Sequence, residues 1–263
     1  MNKVVVVSGA SSGIGLSIAD LLTQRGYVIY GLSRRAPQGT HAFSYISTDV
    51  TDDAAIQKAV AIILEKEKHV NAIINCAGIG ISGAVEYTTK EEFQKIFDVN
   101  VYGTFALTRA FIPALRESKG MIINIGSVAG VLTIPFQSFY SMTKAAISTF
   151  SEGLRMELKP FGVRVTTVLP GDTKTGFTVA REKKETSDPG YSKRIEKSVK
   201  TMERDEEHGK DPITVAKVCA RLLKRKHPPV KVTVGLKYKL FVFLKKILPS
   251  RLVNAVIYSM YGK

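Results

Sequence analysis

Short β-branched runs alternate with helical periods along most of the chain, and that alternation admits few architectures. Residues 4–7 are an unbroken valine run ending at Ser8-Gly9, and Ile14, Ile18, Leu21 and Leu22 then recur at helical spacing up to Gln24. Further strands are expected at 27–32, 43–46, 72–74, 121–125, 163–169 and 230–234. Helices are expected over 54–68, 91–115 and 138–158. The strands read as continuous apolar runs, as they do when helices cover both faces of a parallel sheet. The expectation is a single α/β domain with a doubly wound parallel sheet of about seven strands.

The chain divides into a catalytic domain, 1–235, and a basic amphipathic extension, 236–263. Within the first, 177–212 is charged and weakly periodic. It reads either as a lid over a substrate or as a solvated insertion. Two cysteines and four scattered histidines exclude a disulfide framework and a zinc site, so no metal is expected. No apolar stretch has the length of a spanning helix or a secretory signal, and a cytoplasmic protein is expected, with the extension as its one route to a membrane. The net charge of +15 is uneven: 181–263 holds 21 basic and 9 acidic residues. The extension carries five lysines, one arginine and no acid among aromatic and aliphatic residues. Such a helix suits an anionic membrane surface, or else packs on its own domain or a second subunit. No recognised nucleic-acid motif accompanies the charge, and no nucleic-acid partner is expected.

Between the first strand and first helix lies Ser8-Gly9-Ala10-Ser11-Ser12-Gly13-Ile14-Gly15. Glycines there let the backbone turn tightly and approach a pyrophosphate, and the following helix offers free N–H groups and a positive dipole end. This is a Rossmann-type signal. At the end of the second strand stand Ser33, Arg34 and Arg35, with no acid to hold a ribose 2′-hydroxyl. A guanidinium pairs with a 2′-phosphate, so the cofactor is read as NADP(H), against the plainer alternative of two solvated arginines. Ser127 follows the strand at 121–125, and Tyr140 and Lys144 sit at i and i+4 on one helix face. A phenol ionises near 10, and a nearby ammonium is expected to bring it toward a useful range. The serine hydroxyl would bond the substrate oxygen.

Together these residues resemble the short-chain dehydrogenase/reductase family, in the branch with a TGxxxGIG loop, nearest to 17β-hydroxysteroid and retinol dehydrogenase-like members. Gly9, Gly13 and Gly15 fit the loop, with Ser8 for its threonine. Asp49-Val50 fits the pair beside the adenine, and Asn75-Cys76-Ala77-Gly78 fits NNAG with one cysteine. Asn100, Ser127, Tyr140 and Lys144 match the catalytic residues. Pro170-Gly171, Thr173 and Thr175 match the turn around the nicotinamide.

The resemblance implies that Tyr140 protonates a carbonyl oxygen and Ser127 steadies it. It implies that Lys144 binds the nicotinamide ribose, that Asn100 holds a relay water, and that the protein is a homodimer or homotetramer. Val131, Leu132, Ile134, Phe136, Phe139, Ile79, Ile81, Phe177 and Val179 are read as an apolar cleft for a small hydrophobic carbonyl or alcohol, steroid- or lipid-like. A 3-oxoacyl-carrier-protein reductase and a non-catalytic NADP-binding regulator stay open as alternatives.

Overall fold

The structure is a computed structural model that describes residues 3–184 and 186–263. Its strands are β1 (Val4–Ser8), β2 (Val28–Ser33), β3 (Ser44–Ser47), β4 (Ala72–Asn75), β5 (Ile81–Ser82), β6 (Met121–Ile125), β7 (Arg164–Pro170), β8 (Glu182–Lys183) and β9 (Lys231–Val234). Seven of them form one sheet in the order β3-β2-β1-β4-β6-β7-β9, every pair parallel. β5 and β8 make a separate parallel pair. The expected doubly wound α/β sheet is what the chain forms. β1, β4 and β6 are buried at every position, which is why their sequences run apolar without alternation.

The helices are α1 (Gly13–Gln24), α2 (Asp53–Glu67), α3 (Lys90–Phe97), α4 (Gly103–Glu117), α5 (Ser138–Glu157), α6 (Phe177–Ala180), α7 (Ser192–Glu207), α8 (Ile213–Leu223), α9 (Leu236–Ile247) and α10 (Ser250–Tyr261). Ile18 and Leu22 of α1 and Val215 and Cys219 of α8 pack on one face of the sheet. Ile56 and Ile63 of α2, Phe111 and Leu115 of α4 and Leu154 of α5 cover the other. Each such side chain contributes roughly 1.5–3 kcal/mol by leaving water. Between the layers a polar seam joins sheet to helices. The Asn75 amide donates to Thr108 Oγ1 at 2.9 Å and to Asn124 Oδ1 at 2.7 Å, and Asn124 donates to Ser151 Oγ at 2.8 Å.

Two expectations change. The helix read over 91–115 is interrupted by a π-turn, Asp98–Tyr102, between α3 and α4. The wider turn places Asn100 fully inside, where its amide meets the backbone of Ile79. The extension is two helices rather than one. Leu248 precedes Pro249 and takes an extended conformation, because a proline disfavours the helical region for the residue before it. Several strand ends also shift by a residue, since the partner strand's register decides where the last ladder bond falls.

Candidate active site

Four strands end at one cleft of about 510 Å³. β1 leads into the glycine loop, β4 into Cys76–Gly78, β6 into Ser127 and β7 into Gly171–Thr175. Such a crevice outside the carboxyl ends of parallel strands is where open α/β sheets bind ligands.

The glycine loop is fixed by its surroundings. Gly9 has φ +68°, and a Cβ there would lie 2.8 Å from the Ala77 nitrogen. A Cβ at Gly15 would collide with the Gly9 carbonyl. The Ser8 hydroxyl accepts from the N–H groups of Cys76 at 3.0 Å and Ala77 at 3.2 Å, tying the loop to the end of β4. A hydroxyl is what that position needs, and serine supplies it as threonine would. Ser12 caps α1 with no side-chain bond, and the first turn of α1 carries no acid. Its end is therefore open to an anion.

At the end of β2, Arg34 and Arg35 are exposed on the cleft rim, with Asp49 and Val50 beside them. The Ser33 hydroxyl donates to the Arg35 carbonyl at 2.8 Å. The two guanidiniums are thus the charge-complementary groups at this end. A bare glycine loop and an uncapped helix end fit the pyrophosphate of a dinucleotide.

At the other end Ser127, Tyr140 and Lys144 share the cleft wall. Ser127 opens a 3₁₀ turn, its Oγ accepting from Ala129 N–H at 3.0 Å. Lys144 is buried, donates from Nζ to the Ile125 carbonyl at 3.0 Å and lies 5.7 Å from the centre of the Tyr140 ring. Burial brings its pKa down to about 8. Tyr140 is only half-buried on the wall, yet the protein packed around its hydroxyl pushes its pKa up to about 12, opposed by a hydrogen bond to Ser127. The expectation that the ammonium draws the phenol down is not met here. Lys144 sits against the ring face and is spent on a carbonyl, so desolvation governs the phenol.

Of the residues read from sequence, Gly9, Ser11, Ser12, Gly13, Ile14, Gly15, Ser33, Arg34, Asp49, Val50, Ala77, Gly78, Ser127, Tyr140, Lys144, Pro170, Gly171, Thr173 and Thr175 line this one cleft. Asn75 and Asn100 stand behind it. Asn75 serves the polar seam, while Asn100 accepts from Ile79 N–H at 2.8 Å and donates to Thr143 Oγ1 at 3.1 Å. Asn100 lies next to Lys144 all the same. A Cβ on Gly78 would be 3.2 Å from Asn100 Oδ1 and 3.6 Å from Lys144 Nζ.

The apolar wall differs in detail from the expectation. Ile79, Leu132, Ile134 and Phe177 line the cleft. Phe136 and Ile81 are core, Phe139 packs edge-on against Phe93, and Val179 points to solvent at 87% exposure. Val131 also lies outside the lining.

Among the lining residues that sequence reading missed are several from α7 and the extension: Met202 and Glu206, then Lys237, Tyr238, Phe241, Ile257, Met260 and Tyr261. The Tyr238 hydroxyl donates to Asp172, and its ring lies on Gly171. Tyr261 donates to Asp205 at 2.8 Å, and Arg194 to the Gly262 carbonyl at 3.0 Å. Glu206 is paired with the buried Arg181 and accepts from Thr178 at 2.6 Å. The extension therefore forms part of the cleft wall, beside Gly171 and Met202. No short-range pattern announces this, because Tyr238 and Asp172 are 66 residues apart.

Residues 3–186 match the family model described as short chain dehydrogenase. The chain is 34% identical over 264 residues to a 3-ketodihydrosphingosine reductase of Bacteroides thetaiotaomicron, covering 99% of this chain and 98% of that one. It is 34% identical over 251 residues to a probable short-chain type dehydrogenase/reductase, VdlC, of Helicobacter pylori, covering 93% of each. Among solved structures, a short-chain dehydrogenase from Streptomyces avermitilis superposes with a TM-score of 0.82 at 32% identity, covering 98% of this chain and 96% of that one.

Proposed function

Because the chain belongs to the short-chain dehydrogenase family of oxidoreductases, we propose that it is an NADP(H)-dependent reductase of a long-chain, lipid-like ketone. The observation that carries this reading is the meeting of Ser127, Tyr140 and Lys144 with the glycine loop in a cleft whose far wall is apolar. The relative from Bacteroides is named for a sphingoid ketone, and 3-ketodihydrosphingosine is the substrate we take first.

NADPH, when bound, supplies hydride to the carbonyl carbon. Gly9, Ser11, Ser12, Gly13, Ile14 and Gly15 would hold its pyrophosphate, Arg34 its 2′-phosphate, and Asp49, Val50, Ala77 and Gly78 the adenosine side. Pro170, Gly171, Thr173 and Thr175 would border its nicotinamide. Tyr140 holds the proton that the carbonyl oxygen takes up. Ser127 donates to that oxygen as its charge grows, an interaction stronger in the transition state than before it. Lys144 presents a cation beneath the ring of Tyr140 and toward the ribose, with Asn100 bracing the backbone beside it. Leu132, Ile134, Met202 and Phe241 offer the substrate chain an apolar path, and segment 177–212 serves as its lid.

An oligomer is part of the proposal. The exposed Tyr102, at the end of the π-turn, and Phe105 of α4, with Phe150 of α5 against Phe105, are the surface we assign to a homodimer or homotetramer. Free Cys76 and Cys219 accord with a cytoplasmic location.

Oxidation of NADPH by 3-ketodihydrosphingosine in detergent, compared with a carrier-bound 3-oxoacyl substrate, tests the reading. Turnover of the carrier-bound substrate alone, or of neither, overturns it. The cofactor half has its own test. The double variant Ser33→Asp, Arg34→Leu is expected to move the preference toward NADH by tenfold or more, since a charged hydrogen bond is worth about 1.5–3 kcal/mol and a carboxylate repels phosphate. A parent protein that already prefers NADH defeats the NADP(H) assignment.

A further inference from the structure

We propose that α9 and α10 seat the protein on an anionic lipid surface, with the substrate cleft opening onto that surface. The inference rests on the lipid-like substrate proposed above. It begins from an anomaly of packing. α9 has no buried residue and α10 buries only Val253, although both helices are rich in large apolar side chains.

The two faces of the pair divide the work. The inner face supplies Tyr238, Phe241, Ile257 and Tyr261 to the cleft wall. The outer face carries Leu236, Leu240, Phe243 and Ile247, spaced i, i+4, i+7 and i+11, so they form one stripe along α9. All four are more than half exposed. On α10, Leu252 and Val256 are each at least half exposed as well. An exposed apolar stripe such as that on α9 marks an interaction surface.

Charge selects the occupant. Lys239 and Lys246 flank the stripe at one edge and are exposed, as is Arg251 at the start of α10. No acidic residue lies anywhere from 236 to 263. A second copy laid on this face would bring two acid-free basic patches together, whereas acidic lipid headgroups neutralise them while the acyl region takes up the leucines and phenylalanine. Met260 both lines the cleft and is exposed on α10, so the cleft reaches the surface beside this helix. A lipophilic ketone would then pass from bilayer to cleft along α9 and α10 without crossing water.

The test is co-sedimentation of the full chain with phosphatidylglycerol–phosphatidylcholine vesicles and with phosphatidylcholine alone. Binding to the anionic vesicles is expected to weaken steeply with added salt, and binding to neutral ones to be slight. Lys239→Glu, Lys246→Glu and Arg251→Glu combined are expected to lower anionic-vesicle affinity by about a hundredfold or more. NADPH turnover of the detergent-dispersed ketone and the unfolding midpoint should stay unchanged in that variant. Phe243→Ser with Ile247→Ser is a second probe, expected to weaken binding while keeping its salt dependence. The proposal is overturned if the native chain ignores anionic vesicles, or if the charge-reversed variant binds them as well as the parent. It is also overturned if light scattering shows a native oligomer that the variant dissolves while vesicles go unbound. A chain that binds vesicles yet reduces no ketone supports the docking and removes the reductase reading. One that reduces ketone in detergent but binds no vesicle does the reverse.

Discussion

Tyr140→Phe is expected to lower NADPH-dependent turnover by about 10²-fold or more while cofactor binding persists. The substitution keeps the ring that packs against Phe177, with centroids 5.6 Å apart, and removes only the hydroxyl. Its surroundings hold that hydroxyl's pKa up at about 12, chiefly by desolvation. At neutral pH the phenol is therefore protonated, the form needed to give a proton to a carbonyl oxygen. The opposite reaction, alcohol oxidation, needs the phenolate, and its rate is expected to climb as pH rises toward that value. Cofactor titration by fluorescence and steady-state turnover check the two halves separately. Near-normal turnover in the phenylalanine variant would remove Tyr140 from the chemistry, and loss of NADPH binding would assign the hydroxyl to structure instead.

The parts of this site that a sequence reveals are those whose chemistry is local. The glycine loop is legible because strand, turn and helix follow one another within Val4–Gln24, and each glycine answers a short-range steric demand. Tyr140 and Lys144 are legible because four residues on a helix fix their common face. Arg34 and Arg35 stand directly after β2, where a strand must end in this fold. Asn100 was legible only as a type in a motif. Its inward turn depends on the π-turn, which no spacing rule foretells, and on the Ile79 backbone 21 residues away. Phe136, Ile81 and Val179 stand outside the cleft wall for a related reason. Nearness in sequence to Ser127, to Gly78 or, for Val179, to Phe177 does not say whether a side chain points inward to the core, into the cleft or out to solvent. The extension was the least legible part. Its amphipathicity was plain, but which face turned inward rests on Tyr238 reaching Asp172 and Tyr261 reaching Asp205, contacts with no local signature.

Lys144→Met is expected to abolish most turnover and yet make the protein more stable at neutral pH. Lys144 is 5% exposed, and burial lowers its pKa to about 8. In the unfolded chain the same group titrates at about 10.4. Between those values the unfolded state binds more protons than the folded one, so the contribution of Lys144 to stability rises with pH across that window. Below it, both states are charged and the full cost is felt, about 3 kcal/mol for a shift of this size. Methionine keeps the length of the side chain and removes the charge, forfeiting the charged bond to the Ile125 carbonyl, worth about 1.5–3 kcal/mol. The net gain is therefore at most about 1.5 kcal/mol, or a rise of up to about 6 °C in the midpoint for a chain of this size. Thermal unfolding of parent and variant across the pH range reads the effect below about 10, where the Cys76 thiol, which interacts electrostatically with Lys144, stays neutral because burial holds its pKa up at about 12. The advantage of the variant should shrink as pH climbs from about 8 toward 10.4. A variant less stable than the parent at neutral pH, or an advantage that does not change with pH, would mean that Lys144 is well solvated or well paired, and the buried cation beside Tyr140 would have to be given up.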